Sequence, residues 1–86
     1  MLSLELADRG IRVNCICPAM VWTELVKRDA ELTGADYSTK EKEYPLQRFG
    51  QPEDVAGLAV YMLSDIANWM TGSTVDITGG GEFTLK

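Results

Sequence analysis

The chain has 86 residues, 45% hydrophobic and 24% charged, a globular composition that suffices for one small domain and not for two. Its net charge of −5, from 8 basic and 13 acidic residues, offers no attraction to phosphate backbones or anionic lipid, which argues against nucleic acid and membrane as partners. The absence of histidine removes Ser-His-Asp and Cys-His catalysis, imidazole acid–base chemistry and histidine metal sites together.

In chain order, Leu2, Leu4, Leu6 and Ala7 with Glu5, Asp8 and Arg9 read as a helix end, stopped by the left-handed conformation that Gly10 allows. Nothing before Leu2 can cap that helix, so the pattern is that of a helix entered partway along. Ile11 to Cys17 carries β-branched residues and meets Pro18, which predicts a strand closed by a residue that cannot donate to a ladder. Small, mostly apolar side chains on both of its faces suit a buried parallel strand. Cys15 and Cys17 share one of those faces at i, i+2 and are expected as buried thiols, too far apart for an easy bond.

Thr23 to about Leu32 is predicted helical with Thr23 as its cap, broken by Gly34-Ala35-Asp36, and a second short helix is predicted over Ser38 to Glu43. The mixed charges of residues 24–44 suit a solvated helical surface, with a mobile lid as the functional alternative. Gln51-Pro52-Glu53-Asp54 opens the plainest helix. Pro52 fits its first turn and the two acids complement the helix dipole, while Val55, Leu58, Ala59, Met62 and Leu63 follow helical spacing. After Ser64-Asp65, one helical turn is predicted over Ile66 to Met70, and a second strand over Ser73 to Thr78. Trp69 is expected to be buried, whereas Trp22 suits either a pocket wall or an apolar cover. Gly79-Gly80-Gly81 follows the last strand and reads as a turn, since a phosphate cradle would follow a first strand and open a helix.

Helix, strand, helix, strand is the pattern of right-handed crossover units in a parallel α/β sheet. Two strands leave both sheet edges open, so the sheet is expected to be incomplete alone, with part of it supplied from elsewhere. No repeat, linker or low-complexity tract divides the sequence, and residues 1–86 are expected to form a single unit. Two cysteines are too few for a disulfide framework or a structural zinc site. The first residues lack the basic region of a secretory signal, and no uncharged run approaches the ~20 residues of a spanning helix. A cytoplasmic location is the expectation.

Leu4-Glu5-Leu6-Ala7, Gly10-Ile11-Arg12-Val13-Asn14, Cys17-Pro18 and Thr23, taken together, resemble the C-terminal segment of short-chain dehydrogenases/reductases. Pro45-Leu46-Gln47-Arg48-Phe49-Gly50, Pro52-Glu53-Asp54-Val55-Ala56, Leu63-Ser64-Asp65 and Met70-Thr71-Gly72 before Val75-Asp76-Ile77-Thr78-Gly79-Gly80 are similar to the family's words in the same order. The resemblance covers nearly the whole chain and implies the C-terminal portion of a Rossmann-type doubly wound parallel sheet, two strands with flanking helices. It implies a partial NAD(P)-dependent oxidoreductase domain, transferring hydride between nicotinamide and an alcohol or ketone carbon, with NAD or NADP as cofactor.

The family's Tyr-x-x-x-Lys pair is absent. Tyr37 has Glu41 four residues on, Tyr44 has Arg48, and Tyr61 has Asp65. No catalytic residue and no metal ligand is therefore assigned, and this chain alone is expected to be inactive. By the resemblance, Pro18, Ala19, Val21 and Thr23 form the loop that meets the nicotinamide end of the cofactor, Val21 through its backbone and Thr23 through its hydroxyl. The plain alternative is Pro18 as a strand terminator and Thr23 as a helix cap. Ala19 stands where the family usually has glycine, and its β-carbon would crowd a closely approaching ligand. The resemblance also puts the helix from Pro52 and the strand around Val75 at a subunit interface, implying a homo-oligomer or association with a complete family member. A non-catalytic truncated module docking on full-length subunits is the alternative function. Substrate and the choice between NAD and NADP are not readable from these residues.

Overall fold

In a computed structural model, which describes residues 1–81, local signals set most of the elements. α1 spans Leu2–Leu6 and continues as a 3-10 turn over Ala7–Arg9, which Gly10 ends at φ 73°. β1 spans Cys15–Pro18, α2 Glu24–Thr33, α3 Ser38–Lys42, α4 Pro52–Leu63 and β2 Thr74–Ile77, with a 3-10 turn at Asp65–Ala67 before β2. α4 begins as its sequence dictates: Pro52 occupies the first turn with Glu53 and Asp54, and the Asp54 carboxylate accepts the Gln51 N–H at 2.7 Å, satisfying a helix-start donor.

β1 and β2 pair in parallel, Cys15 opposite Thr74 and Pro18 opposite Ile77. β1 is shorter than the predicted Ile11–Cys17 strand because side chains take over its start. Val13 N–H donates to Thr71 Oγ1 at 3.1 Å, and Asn14 both donates to the Met70 carbonyl and accepts from the Ser73 N–H, each at 3.0 Å. Arg12 adds two bonds at 3.2 Å, to the Met70 and Ser64 carbonyls. These contacts fix the register of the parallel pair, which a bare two-stranded ladder specifies weakly.

Alternation along the strands separates two faces. Ile16, Val75 and Ile77 are half-buried, and Ile16 lies beside Ala59 and Met62 of α4. Cys15, Cys17, Thr74 and Asp76 are exposed on the opposite face, where the start of α1 comes beside Cys15 and Thr74. The expectation of buried thiols is thereby corrected: both cysteines are free and exposed, because the i, i+2 period puts them opposite α4. Their sulfurs are 3.7 Å apart in hydrogen-bond contact, which raises the Cys17 pKa.

The buried apolar set among the described residues is small: Tyr44, Phe49, Met62 and Ala67. Trp69, expected inside, is 97% exposed; the 3-10 turn gives its inward position to Ala67 and turns Trp69 out. Leu63, the last residue of the predicted α4 stripe, is likewise 84% exposed, since the sheet it would cover ends at two strands. The radius of gyration is 16.2 Å, against about 12 Å for a compact domain of this length. Among the described residues no helix is long and apolar enough to cross a membrane.

Candidate functional site at the carboxyl end of the parallel strands

The chain leaves β1 at Pro18 and crosses the carboxyl ends of both strands, where ligands bind in open parallel sheets. Ala19 N–H donates to the Ile77 carbonyl at 2.9 Å, extending the ladder by one residue. The loop is then held from its other side by Gly50. Gly50 N–H donates to the Met20 carbonyl at 3.0 Å and Trp22 N–H to the Gly50 carbonyl at 2.8 Å, an isolated parallel bridge centred on Val21 and Gly50.

That geometry has a direct result for Val21. In a parallel bridge the central residue's partners bond its neighbours, so its own N–H and C=O point away. Among the described residues no protein group engages either one. Val21 is half-buried and lines, with Ala19, a cavity of 210 Å³ that Tyr44, Arg48, Asp54 and Thr78 help to enclose. Val21 thus carries one backbone donor and one backbone acceptor without a partner among the described residues, the pair complementary to a primary carboxamide.

Gly50 is positioned by charge. Arg48 Nη1 and Nη2 donate to the two Asp54 carboxylate oxygens at 2.8 and 3.3 Å, and Nη1 also donates to the Phe49 carbonyl at 3.1 Å. The Arg48 guanidinium, assisted by the Gln51 N–H, holds the Asp54 carboxyl below the usual carboxylate range. The pair brackets residues 49–53 and ties the bridging segment to the start of α4.

Of the four residues assigned from sequence, Ala19 and Val21 meet at the cavity, while Pro18 and Thr23 stand outside its lining. Pro18 is the exposed last residue of β1. Thr23 caps α2, its Oγ1 accepting the Val26 N–H at 3.2 Å, which leaves the hydroxyl proton free to donate. Ala19 causes no strain: among the described residues Gln47 alone of the non-glycines has a positive φ, so position 19 makes no demand for glycine on backbone grounds. The turn after β2 is bound to the same region, with the Gly79 carbonyl accepting the Leu46 N–H at 3.1 Å.

Sequence reasoning missed the Arg48–Asp54 pair and the bridge at Gly50. It also missed the company of Trp22, which stacks on Phe49 at 5.8 Å and meets Tyr37 edge-on at 5.8 Å. Tyr44 closes the cluster, 5.7 Å from Phe49. The only sequence signal was a run of aromatics at 37, 44 and 49 without periodicity.

Comparison with known proteins agrees with this arrangement. Residues 1–82 match a family model described as enoyl-(acyl carrier protein) reductase. The uncharacterized oxidoreductase YgfF of Escherichia coli is 44% identical over 79 residues, covering 92% of this chain and 31% of that protein. Glucose 1-dehydrogenase 2 of Bacillus subtilis is 38% identical over 80 residues, covering 92% and 30%. The chain thus spans about a third of the length of the curated relatives it matches. Among solved structures, a short chain dehydrogenase family protein from Francisella tularensis superposes with a TM-score of 0.80 at 38% identity, over 95% of this chain and 37% of that one. The ligand-free aldohexose dehydrogenase of Thermoplasma acidophilum gives 0.83 at 33% identity, over 95% and 35%. A parallel strand pair with its loop folded across the carboxyl ends, in a segment shared with dehydrogenases along nearly its whole length, makes this chain a member of the short-chain dehydrogenase/reductase family, with a Rossmann-like fold of which it holds one segment.

Proposed function

We propose that residues 1–86 are a single structural unit, the C-terminal portion of an NAD(P)-dependent oxidoreductase that moves a hydride between nicotinamide and an alcohol or ketone carbon. The observation that supports it most is that Val21, a lining residue of the 210 Å³ cavity, has an N–H and a C=O without a partner among the described residues. The coenzyme, when bound, supplies or accepts the hydride. This chain's residues orient it: Val21 binds the carboxamide through its two backbone groups, Thr23 donates its hydroxyl proton, and Pro18 and Ala19 set the path of the loop. The Arg48–Asp54 pair holds Gly50 against that loop. No group within these 86 residues combines the phenol and ammonium that the family uses for proton transfer, so the chain by itself has no turnover in this reading.

The test has two arms. The 86-residue chain, assayed with NAD(H) and NADP(H) across small ketones, alcohols and sugars, is expected to give no turnover. Joined to a family N-terminal portion carrying the Gly-rich loop and Tyr-x-x-x-Lys, it is expected to bind coenzyme, and Val21→Pro, which deletes one site donor, should weaken that binding by about 1 kcal/mol. Turnover by the 86-residue chain, or unchanged affinity in the Val21→Pro fusion, would refute the reading.

A second reading, a non-catalytic module that docks on complete family subunits or on its own copies, is supported by the exposure of Leu63, Ile66 and Trp69 and by the exposed Cys17 and Asp76 on the strand pair. Sedimentation of the chain alone and mixed with a full-length relative tests it. A strict monomer in both would overturn it.

A further inference from the structure

We propose that the cavity between α2, α3 and Trp22 is a binding site for a small organic cation of the alkylammonium class. The cavity holds 390 Å³, and its lining residues include Trp22, Tyr37 and Phe49 together with Asp36 and Glu41. It shares no lining residue with the cavity at Val21, and the proposal does not depend on the hydride-transfer reading.

The three rings form one packed cluster. Trp22 lies 5.8 Å from both Tyr37 and Phe49, and Tyr37 lies 6.3 Å from Phe49. Phe49 is 3% exposed, so the cluster is anchored in what core this chain has, and Trp22 and Tyr37, both half-buried, are its accessible rings. Aromatic faces carry negative potential and attract cations that shed water cheaply, above all substituted ammonium ions. The chain itself uses this attraction, for Lys40 Nζ stands 5.7 Å from the Tyr37 ring centroid.

The carboxylates decide between a cation and a neutral apolar guest. Asp36 accepts the Ser38 N–H at 2.9 Å, a bond that lowers its pKa and keeps it ionised. Glu41 Oε1 accepts the Phe49 N–H at 3.4 Å, leaving its second oxygen without a protein partner among the described residues. No lysine or arginine lines the cavity. Two carboxylate residues beside the accessible Trp22 and Tyr37, with no lysine or arginine among the lining residues, are complementary to a positively charged apolar group. Two carboxylates against ring walls offer too few oxygens for a hard metal ion.

The experiment is a titration of the ¹⁵N-labelled 86-residue chain with choline chloride, followed by NMR at the Trp22 indole N–H and the Tyr37 amide. The neutral isostere 3,3-dimethylbutan-1-ol and sodium chloride at equal ionic strength serve as comparisons. Choline is expected to move both signals saturably, with the isostere binding about tenfold more weakly and sodium chloride giving no saturable shift. Asp36→Asn and Glu41→Gln keep the carbonyl oxygens that accept the Ser38 and Phe49 N–H groups while removing the charges. The double variant should lose about tenfold in choline affinity and little in affinity for the isostere. Tyr37→Leu should weaken choline selectively. A Trp22 signal that does not move saturably, equal affinity for choline and isostere, or unchanged choline affinity in the double variant would each overturn the proposal.

Discussion

Asn14 is the residue whose replacement tests the architecture most directly. Its Nδ2 donates to the Met70 carbonyl and its Oδ1 accepts the Ser73 N–H, both at 3.0 Å, spanning the gap between the start of β1 and the segment entering β2. Asn14→Ala removes both bonds. The Met70 carbonyl keeps Arg12 Nη1 at 3.2 Å, but the half-buried Ser73 N–H is left without its acceptor. At about 1 kcal/mol for each net hydrogen bond, the expected loss is about 2 kcal/mol. For a chain of this size that is a drop of about 8–16 °C in melting temperature. Asn14→Asp keeps the acceptor for Ser73, loses the donor and turns a carboxylate oxygen toward the Met70 carbonyl, so it should destabilise without restoring the register. The assay is urea unfolding followed by circular dichroism, at one fixed protein concentration because self-association would shift apparent stability. Trimethylamine oxide can be added equally to all samples to raise the baseline. A loss below about 0.5 kcal/mol, the size of an ordinary surface substitution, would refute the claim that Asn14 pins the two strands.

Thr23→Val keeps the side-chain shape and removes the hydroxyl that caps α2, so stability should fall by about 1 kcal/mol. In the fusion with a family N-terminal portion, coenzyme affinity should fall by about as much if the hydroxyl proton is donated to coenzyme; lowered stability beside unchanged affinity would leave Thr23 a cap alone. The Asp54 carboxyl, held below its ordinary pKa by Arg48 and the Gln51 N–H, gives a pH dependence of fixed sign. Its contribution is fully present above the unfolded-state value near ~3.9 and is lost as pH falls through the lower folded-state value. Unfolding midpoints between neutral and strongly acid pH should therefore converge for wild type and Asp54→Asn at the acid end, with a smaller gap in high salt because the pair is partly exposed. A gap that persists unchanged into acid would contradict the ion-pair assignment.

The parts of the fold readable in sequence are those fixed by neighbours in the chain. Pro52 through Leu63 reads as α4 because its dipole-matched start and apolar period lie within one segment, and Gly34 and Gly10 end their helices with the left-handed conformation expected of them. Burial of Trp69, Cys15 and Cys17 was misjudged because it depends on what packs over the sheet, a non-local matter on which local pattern is silent. The site divides in the same way. Thr23 as a cap is local and legible, whereas the coenzyme role of Pro18, Ala19, Val21 and Thr23 came from family resemblance alone. Arg48 and Asp54 escaped notice because the five residues between them pass from the Gly50 bridge into the first turn of α4, so neither helical nor strand spacing relates them.

The two tryptophans occupy opposite extremes, and this makes the chain its own optical reporter. Trp22 is stacked on Phe49 and half withdrawn from water, whereas Trp69 stands almost wholly in solvent. Emission from Trp69 should peak far to the red and be quenched readily by iodide, while that from Trp22 should be bluer and less accessible to the quencher. A protein that covers the Leu63, Ile66 and Trp69 surface would remove the red, quenchable component and leave the other intact. Rearrangement of α2 and α3 would do the reverse. One spectrum, without label or substitution, thus tells apart an event at the outer apolar surface from one at the mouth of the aromatic cluster.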